Sequence, residues 1–312
     1  MPLKELIDNP HSERVRRLVA LSKGNSHASK RFLVEGPQSV REAVRYASDS
    51  ISDIYVTKEV CVNNEEDANQ SSSLQEIIKE ALSKDLYVHP VESSIMQKIS
   101  SDSQGIVAVS DAQFLDEIYV GEFKNLQKSV SSENFVNAEG SERAGNTNNP
   151  LLIAACWQVR DPGNAGAIIR VADVAGCDAV VFVDDCVSRW NSKLVRSTAG
   201  SLFHLPVVQL SVQDWFDYAK KSNIRVIAAD IYGTDQLKPV PFPKILANTE
   251  LTSSSLAILF GNEARGLPQE ILQQVDNISI IPIYGKAESM NLATSAAVML
   301  MGLAMSSHER KI

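Results

Sequence analysis

The stretch "DPGNAGAIIRVADVAG", from Asp161 to Gly176, indicates the fold class of this chain. It follows an apolar run, "LLIAACW", and its Gly-rich turn opens a segment with helical periodicity. Gly-rich turns between a strand and a helix commonly bind phosphate groups. This turn has neither the G-x-G-x-x-G spacing of dinucleotide-binding proteins nor the Lys-Ser/Thr of a P-loop. The stretch therefore predicts a strand–turn–helix unit of an α/β fold whose turn does something other than cradle a cofactor phosphate.

Alternating strands and helices extend on both sides of this unit and predict an α/β architecture in two domains. Over residues 1–124, apolar runs such as "RFLVEG" and "QGIVAVS" alternate with helical segments. Residues 151–312 contain nearly continuous apolar runs, as in parallel strands that are buried on both faces. Residues 125–150 are rich in Ser, Asn, Glu and Gly with almost nothing to bury, which predicts a flexible linker.

The composition is that of a soluble globular protein, with 44% hydrophobic and 22% charged residues. The longest apolar stretch, Ala296 to Met305, is too short for a bilayer, which takes about 20 residues. The cysteines form no C-x-x-C pair and the histidines have no ligand spacing, so no metal site is predicted. Cysteines without a disulfide pattern predict reduced thiols and a cytoplasmic location.

The charge distribution limits how the protein can contact nucleic acid. A net charge of −8 argues against nonspecific coating of nucleic acid, yet it allows one basic face. The first 45 residues are locally basic, with Arg14, Arg16, Arg17, Lys23, Lys30, Arg31, Arg41 and Arg45. Two interpretations stay open, because such a cluster is either an RNA-binding face or a solvated helix face.

Three turns follow strands in the second predicted domain, where open α/β sheets bind their ligands. The first contains Asn164. The second, "FGNEARGLP", begins with Gly261 and contains Glu263, and the third, "IPIYGKAESMNLATSAA", contains Ser289 and Asn291. Each has a plain structural explanation when it is taken singly, such as a turn residue, a surface acid or a helix N-cap.

Taken in this order, the three turns resemble the three motifs of the SpoU/TrmH family of RNA ribose 2′-O-methyltransferases. The segment "LVRSTAGSLFHLPVV" is similar to the family's region between the first two motifs. The N-terminal "RFLVEGPQSVREAV" and "SDSQGIVAV" are similar to the small substrate-binding domain that many members carry. One departure is Met290, where the family usually has Leu, and "LATSAA" replaces the commoner "VSVAA".

The resemblance implies a C-terminal trefoil-knotted α/β methyltransferase domain beside a small N-terminal α/β domain that binds RNA. Sequence patterns alone predict an ordinary doubly wound sheet, since chains rarely knot. The resemblance further implies S-adenosylmethionine as methyl donor and a homodimer with active sites at the interface. The family holds the cofactor largely through backbone groups, at positions matching Gly261, Ile281 and Met290. Backbone contacts tolerate Leu to Met, which is close in volume.

Roles for the motif residues also come from the resemblance. Arg170 matches the catalytic Arg, and because a guanidinium stays protonated in proteins it is a poor proton acceptor. It is therefore expected to fix an RNA phosphate and stabilise developing alkoxide charge, with a direct base role as the alternative. Asn164 is expected to orient Arg170 or the ribose, and Glu263 to hold Arg170 or neighbouring backbone. Ser289 and Asn291 are expected to shape the pocket near the reacting atoms.

Arg196, in "LVRSTAG", is a further candidate phosphate contact, with a structural ion pair as its alternative. Among the basic N-terminal residues, Arg16, Lys30 and Arg31 are predicted to bind RNA. The resemblance also favours rRNA over tRNA as substrate, because an N-terminal domain of this kind is found more often in rRNA-directed members of the family. Two other classes are weighed against this function. A non-catalytic RNA-binding protein would have damaged motifs, and a nucleotide-binding dehydrogenase needs a different glycine spacing, although Asp184 does end the next strand.

Overall fold

A computed structural model describes residues 4–23, 30–61, 68–131 and 150–308. Its strands are Arg31–Glu35 (β1), Ile51–Thr57 (β2), Val88–Val91 (β3), Ile106–Asp111 (β4), Leu152–Trp157 (β5), Ala179–Val183 (β6), Val207–Leu210 (β7), Arg225–Ala229 (β8), Val240–Pro241 (β9), Leu256–Phe260 (β10) and Asn277–Ile280 (β11). They form two separate sheets.

The helices alternate with these strands along the chain. They are Glu13–Ser22 (α1), Pro37–Tyr46 (α2), Lys58–Cys61 (α3), Ala68–Ser83 (α4), Ser93–Ile99 (α5), Ala112–Ser131 (α6), Pro162–Val174 (α7), Ser192–Ser197 (α8), Val212–Lys221 (α9), Phe242–Ala247 (α10), Thr249–Thr252 (α11), Gln269–Leu272 (α12) and Leu292–His308 (α13). Within the part of the chain that the structure describes, no helix combines the length and hydrophobicity needed to cross a bilayer.

The chain divides into two units, of which the first comprises Met1–Ile118 and Ser188–His204. The second comprises Tyr119–Val187 and Leu205–Ile312. Helix α6 continues to Ser131, so residues 125–131 of the predicted linker are helical. The rest of that linker, up to residue 149, lies outside the described residues. The segment 188–204 belongs with the first unit, although the sequence pattern groups it with the methyltransferase motifs.

Side-chain packing explains why the segment 188–204 belongs to the first unit. The ring of Trp190 contacts that of Phe32 in β1, with centroids 4.7 Å apart. Arg189 forms an ion pair with Asp116 at 2.8 Å. Leu194, in α8, is fully buried. These contacts join residues far apart in sequence, so local periodicity carries no signal of them.

The first unit is built on a four-stranded sheet in the order β1-β4-β2-β3. Strand β4 is antiparallel to β1 and β2, and β3 is parallel to β2. Helix α1 begins at the N-cap Ser12, whose Oγ accepts a hydrogen bond from the backbone N–H of Val15. Val15 and Leu18 lie in one core with Leu33 and Val109 of the sheet. The helix therefore buries one face and leaves its arginines exposed.

The second unit contains a seven-stranded sheet in the order β7-β6-β5-β10-β8-β11-β9, in which every described pair is parallel. Strands β6 and β10 are buried at every position, as expected for central strands with both faces covered. Phe260 pairs in register with Cys156 of β5 and Ala229 of β8. The carboxyl ends of these strands therefore meet at one edge of the sheet, and the chain's three motif turns leave from that edge.

Candidate active site

A cavity of about 570 Å³ lies at the carboxyl edge of the larger sheet. Residues from all three motif turns line it. Of the predicted site residues, those that line it are Asn164, Gly261, Glu263, Ile281, Ser289, Met290 and Asn291. The register of the parallel strands thus brings together side chains that are more than 120 positions apart in the sequence.

Three polar side chains, one from each motif, are linked by hydrogen bonds at this cavity. Asn164 Nδ2 donates to Glu263 Oε1 at 3.4 Å, and Asn291 Nδ2 donates to Asn164 Oδ1 at 3.0 Å. Glu263 also accepts from the backbone N–H groups of Arg160 (3.3 Å) and Asp161 (3.1 Å). Of its two expected partners, Glu263 therefore holds neighbouring backbone. Hydrogen bonds therefore hold both the nitrogen and the oxygen of the Asn164 side-chain amide.

Local capping explains how the sequence positions these residues. Asp161 is the N-cap of α7 and accepts from the backbone N–H of Asn164 at 2.8 Å, and Pro162 occupies the first helical position. Asn291 Oδ1 accepts from the backbone N–H of Ala293 at 2.9 Å, just inside α13. The same Asn291 amide caps a helix with its oxygen and contacts Asn164 with its nitrogen. The capping interpretation therefore holds, and the role of Asn291 in the reaction stays a prediction.

The second motif turn is closely packed against its own backbone. A Cβ placed on Gly261 would lie 2.6 Å from the carbonyl carbon of Gly266, so this position excludes a side chain. Asn262 and Gly266 exchange backbone hydrogen bonds of 3.2 and 2.9 Å. Asn262 is 8% exposed, and its Nδ2 donates to the carbonyl oxygen of Gln158 at 2.8 Å. The turn is therefore rigid and tied to the first motif.

The lining of the cavity suits a ligand with an apolar ring and hydroxyl groups. Its wall includes Phe260, Leu267 and Met299, and the backbone of the three turns forms its rim. Asp230, directly after β8, also lines the cavity, and its Oδ1 accepts from the backbone N–H groups of Tyr232 and Gly233 at 2.8 Å. A carboxylate held in this way can accept hydrogen bonds from ribose hydroxyls. Sequence reasoning missed Asp230, although its place at the end of an apolar run was a signal.

Arg170 lies away from this cavity. Its side chain is exposed on α7, and it does not line the cavity. No residue in the described part of the chain forms a hydrogen bond or ion pair with it. Residues four apart share a helix face, so Arg170 lies on the same face as Val174, which is 68% exposed. The structure thus does not bring Arg170 to the other motif residues of the same unit.

Arg196 forms ion pairs within the first unit. Its Nη1 lies 2.7 Å from Glu35 Oε2 and 2.9 Å from Asp102 Oδ2. Burial raises the pKa of Glu35, and hydrogen bonding by Ser100 and the charge of Arg196 partly oppose that rise. This geometry is the structural ion pair that was the alternative for Arg196. The other predicted RNA-binding residues, Arg16, Lys30 and Arg31, are exposed in the same unit.

Gln158 is a second residue that sequence reasoning missed. It follows β5 with a φ of 48°, a conformation uncommon outside glycine. Its Nε2 donates to Asp184 Oδ2 at 2.6 Å, and its Oε1 accepts from Arg265 Nη2 at 3.3 Å. Gln158 therefore connects the first motif turn with the second. Among the described residues, no group of three or more His, Cys, Asp or Glu side chains is placed to hold a metal ion.

Comparison with known families agrees with this site. Residues 151–301 match the profile described as "SpoU rRNA Methylase family", and residues 33–115 match "RNA 2'-O ribose methyltransferase substrate binding". The chain belongs to the SpoU methyltransferase family. The predicted family is confirmed. Met290, which stands where the family usually has Leu, lines the cavity.

Individual relatives are enzymes named for rRNA. The chain is 38% identical over 162 residues to the 23S rRNA (guanosine(2553)-2'-O)-methyltransferase RlmP of Bacillus subtilis, covering 52% of this chain and 60% of that protein. It is 32% identical over 143 residues to the 23S rRNA (uridine(2479)-2'-O)-methyltransferase of Streptomyces viridochromogenes, covering 45% of this chain and 47% of that protein. The chain therefore spans about half the length of such curated relatives.

Solved structures share the fold of this SpoU family member over nearly its whole length. An rRNA methyltransferase from Sinorhizobium meliloti superposes with a TM-score of 0.71 at 21% identity, covering 98% of both chains. The SpoU methyltransferase AviRb from Streptomyces viridochromogenes gives a TM-score of 0.69 at 19% identity, covering 96% of this chain and 99% of that one. The predicted fold class, an α/β methyltransferase domain with a small N-terminal α/β domain, is confirmed.

Proposed function

We propose that this protein methylates the 2′-hydroxyl of a ribose in structured RNA, with S-adenosylmethionine as the methyl donor. The hydrogen-bonded set Glu263, Asn164 and Asn291 carries the proposal, because it joins all three family motifs at one cavity. The relatives named as 23S rRNA methyltransferases favour rRNA as the substrate, with tRNA as the alternative. The motif residues Asn164, Arg170, Glu263 and Asn291 are all intact. A protein that only binds RNA would be expected to have lost some of them.

The cavity fits an adenosyl cofactor. The backbone at Gly261, Ile281 and Met290 would hold it, the apolar wall would receive its ring, and Asp230 would accept from its ribose. When bound, S-adenosylmethionine supplies a methyl group activated by a sulfonium. The carboxylates of Asp230 and Glu263 place negative charge beside this cavity, which favours a cationic ligand.

The polar residues of the site would serve the RNA side of the reaction. Methyl transfer requires the ribose oxygen to be held in line with the methyl carbon and the sulfur. Asn164 is fixed by Glu263 and Asn291, so its amide can bind a ribose without reorganising. Arg170, as a guanidinium that stays protonated, would hold an RNA phosphate and stabilise the negative charge that develops on the ribose oxygen during transfer.

The position of Arg170 supports a homodimer. It shares the exposed face of α7 with Val174, and the packed neighbour α13 exposes Val298 and Met305 (39% and 55%). Contiguous exposed apolar side chains of this kind mark an interaction surface. In a homodimer formed through this face, Arg170 would lie at the interface, where the family resemblance places the active sites. The trefoil knot and the cytoplasmic location stay predictions from the family resemblance and the reduced thiols.

Methylation of defined RNAs by the full chain tests the proposal. Tritium transfer from labelled S-adenosylmethionine is measured with unmodified 23S rRNA, 16S rRNA and tRNA, and the product is mapped by resistance to alkaline hydrolysis. We expect one 2′-O-methylated nucleotide in rRNA. Asn164→Ala should abolish transfer, whereas Lys221→Ala, exposed on α9, should not change it. Methylation of tRNA alone would move the substrate to the alternative, and a protein that binds RNA without transfer would contradict the activity.

A further inference from the structure

A second cavity, of about 650 Å³, lies in the first unit between α1 and the four-stranded sheet. It is separate from the methyltransferase cavity, and all its lining residues belong to one unit. Its volume lies within the range of roughly 300–1,000 Å³ that is usual for small-molecule sites. The helix contributes Arg14, Arg17, Leu18 and Leu21 to one wall, because these positions share one face of α1.

Three arginines and two acidic residues, Glu13 and Asp53, line this cavity. Arg14 and Arg17 line it from α1, and Arg31 lines it from the first residue of β1. All three are exposed, and Arg17 pairs with Glu13 one turn earlier in the helix. The planar guanidinium group binds phosphate through paired hydrogen bonds, so this wall suits a phosphate group.

The opposite side of the cavity carries a carboxylate that is held in place by a hydrogen-bonded chain. Arg14 Nη1 lies 3.3 Å from His89 Nδ1, and His89 Nε2 lies 2.7 Å from Asp53 Oδ1. Because the guanidinium can only donate, His89 accepts at Nδ1 and donates from Nε2. The ring of Tyr55 stacks on His89 at 5.0 Å. The Asp53 side chain is 23% exposed and lines the cavity, so it presents a fixed acceptor.

The combination of these groups excludes a simple anion site. Burial is the largest single effect and raises the pKa of Asp53, but the hydrogen bonds from His89 and Ser52 and the nearby positive charges together outweigh it and leave that pKa below its ordinary value. A charged carboxylate repels a free phosphate, and an anion has no use for the apolar wall formed by Leu18, Leu21 and Val109. A ligand that matches all three features carries a phosphate, an apolar face and N–H donors. A nucleotide has all of them.

We propose that this cavity binds one unpaired nucleotide of the RNA substrate, an inference that rests on the proposed function. Arg14 and Arg31 hold its phosphate, the base lies against Leu18 and Leu21, and Asp53 accepts from the N–H donors of the base. RNA-binding proteins commonly read bases that are splayed out of a helix in this manner. The substrate-binding unit then recognises a bulged or looped nucleotide in addition to the backbone charge of the RNA.

The cavity also divides the basic N-terminal cluster into two classes. Arg16 is exposed but does not line the cavity, since it lies on the opposite face of α1 from Arg14. Arg16 is thus a matched control for Arg14: the same residue type on the same helix, in a similar charge environment, but without access to the cavity. The two interpretations of the cluster therefore apply to different residues.

Titration of mononucleotides into the full chain tests this proposal independently of methyl transfer. Isothermal titration calorimetry is carried out with GMP, AMP, CMP and UMP, and with guanosine and inorganic phosphate as partial ligands. We expect at least one mononucleotide to bind about tenfold more tightly than either partial ligand. Only a mononucleotide carries both the phosphate that the arginines bind and the base that contacts the leucines and Asp53. Arg14→Ala and Arg31→Ala should each weaken that binding about tenfold, the scale of one charge-assisted hydrogen bond. Arg16→Ala should leave it within about twofold.

Asp53→Asn supplies a second, different readout. It keeps the shape and removes the charge, so it should reduce the difference in affinity among the four mononucleotides. Inorganic phosphate should bind no more weakly than it does to wild type, because the repelling carboxylate charge is gone. S-adenosylmethionine binding by each variant serves as the check that the chain is folded. The proposal is overturned if no mononucleotide binds, or if Arg16→Ala and Arg31→Ala have equal effects. Failure of the wild type to methylate RNA would overturn the proposed function and would leave the mononucleotide result standing.

Discussion

Replacement of Gly261 by Ala gives the sharpest test of the cofactor cavity. The added Cβ would lie 2.6 Å from the carbonyl carbon and 2.8 Å from the carbonyl oxygen of Gly266. An ordinary contact is at least 3.4 Å, so the turn must move by roughly 0.8 Å. Both atoms are backbone, so neither can rotate away, and overpacking of this kind costs about 1–3 kcal/mol. The movement also strains the two hydrogen bonds between Asn262 and Gly266.

Calorimetry and thermal unfolding measure the two consequences. We expect affinity for S-adenosylmethionine to fall at least tenfold, or about 1.4 kcal/mol, because the displaced backbone groups are those proposed to hold the cofactor. The Tm should fall by about 2–4 °C for each kcal/mol of strain. Gly285→Ala is the matched control, because it lies in the third motif turn and its Cβ would meet nothing within 4 Å. Wild-type affinity and Tm in Gly261→Ala would refute the reasoning.

Four further variants test the remaining assignments. Arg170→Ala should lower turnover about 100-fold, the scale of a lost charge stabiliser, while cofactor affinity stays unchanged. Arg170→Lys should restore little, and normal turnover in either variant would count against the role. Wild type should be a dimer in light scattering, and Val174→Asp combined with Met305→Asp should give monomers; a monomeric wild type would contradict the proposed interface. Glu35→Gln tests the buried ion pair. Because burial raises the pKa of Glu35 above 4.5, this group stabilises the fold more as pH falls through that raised pKa. The unfolding free energy of wild type, measured relative to that of Glu35→Gln, should therefore rise as the pH is lowered from 7 towards 4.5. A difference that stays constant over this range in denaturant titrations would contradict this.

The strands of the larger sheet that are buried on both faces could be predicted from the sequence. Apolar runs mark β5, β6, β8, β10 and β11, because a central parallel strand needs hydrophobic residues at every position. The rule that ligands bind beyond the carboxyl ends of strands then selected the three turns that line the cavity. Strands β7 and β9 are the two edge strands. Gln209 of β7 is exposed and β9 has only two residues, so neither strand forms a continuous apolar run.

Contacts between distant residues could not be predicted in the same way. Nothing near Glu263 indicates that it caps the backbone at Arg160 and Asp161, about 100 positions earlier. The partner of Arg196 is likewise unreadable, because Glu35 lies in a strand that the local pattern describes only as apolar. Such pairs depend on sheet register and tertiary packing, and both arise from the whole chain at once.

The membership of Ser188–His204 in the first unit has a consequence for domain exchange, by gene fusion or by design. The substrate-binding unit is built from two separate stretches of sequence. A gene fusion that transfers its N-terminal residues alone therefore loses the packing contacts made by residues 188–204. Phe32 would lose the ring of Trp190, and the buried Glu35 would keep its carboxylate without the guanidinium of Arg196. An uncompensated buried charge is strongly destabilising. Exchange of the substrate-binding unit between members of this family therefore has to carry residues 188–204 together with the N-terminal residues that they pack against.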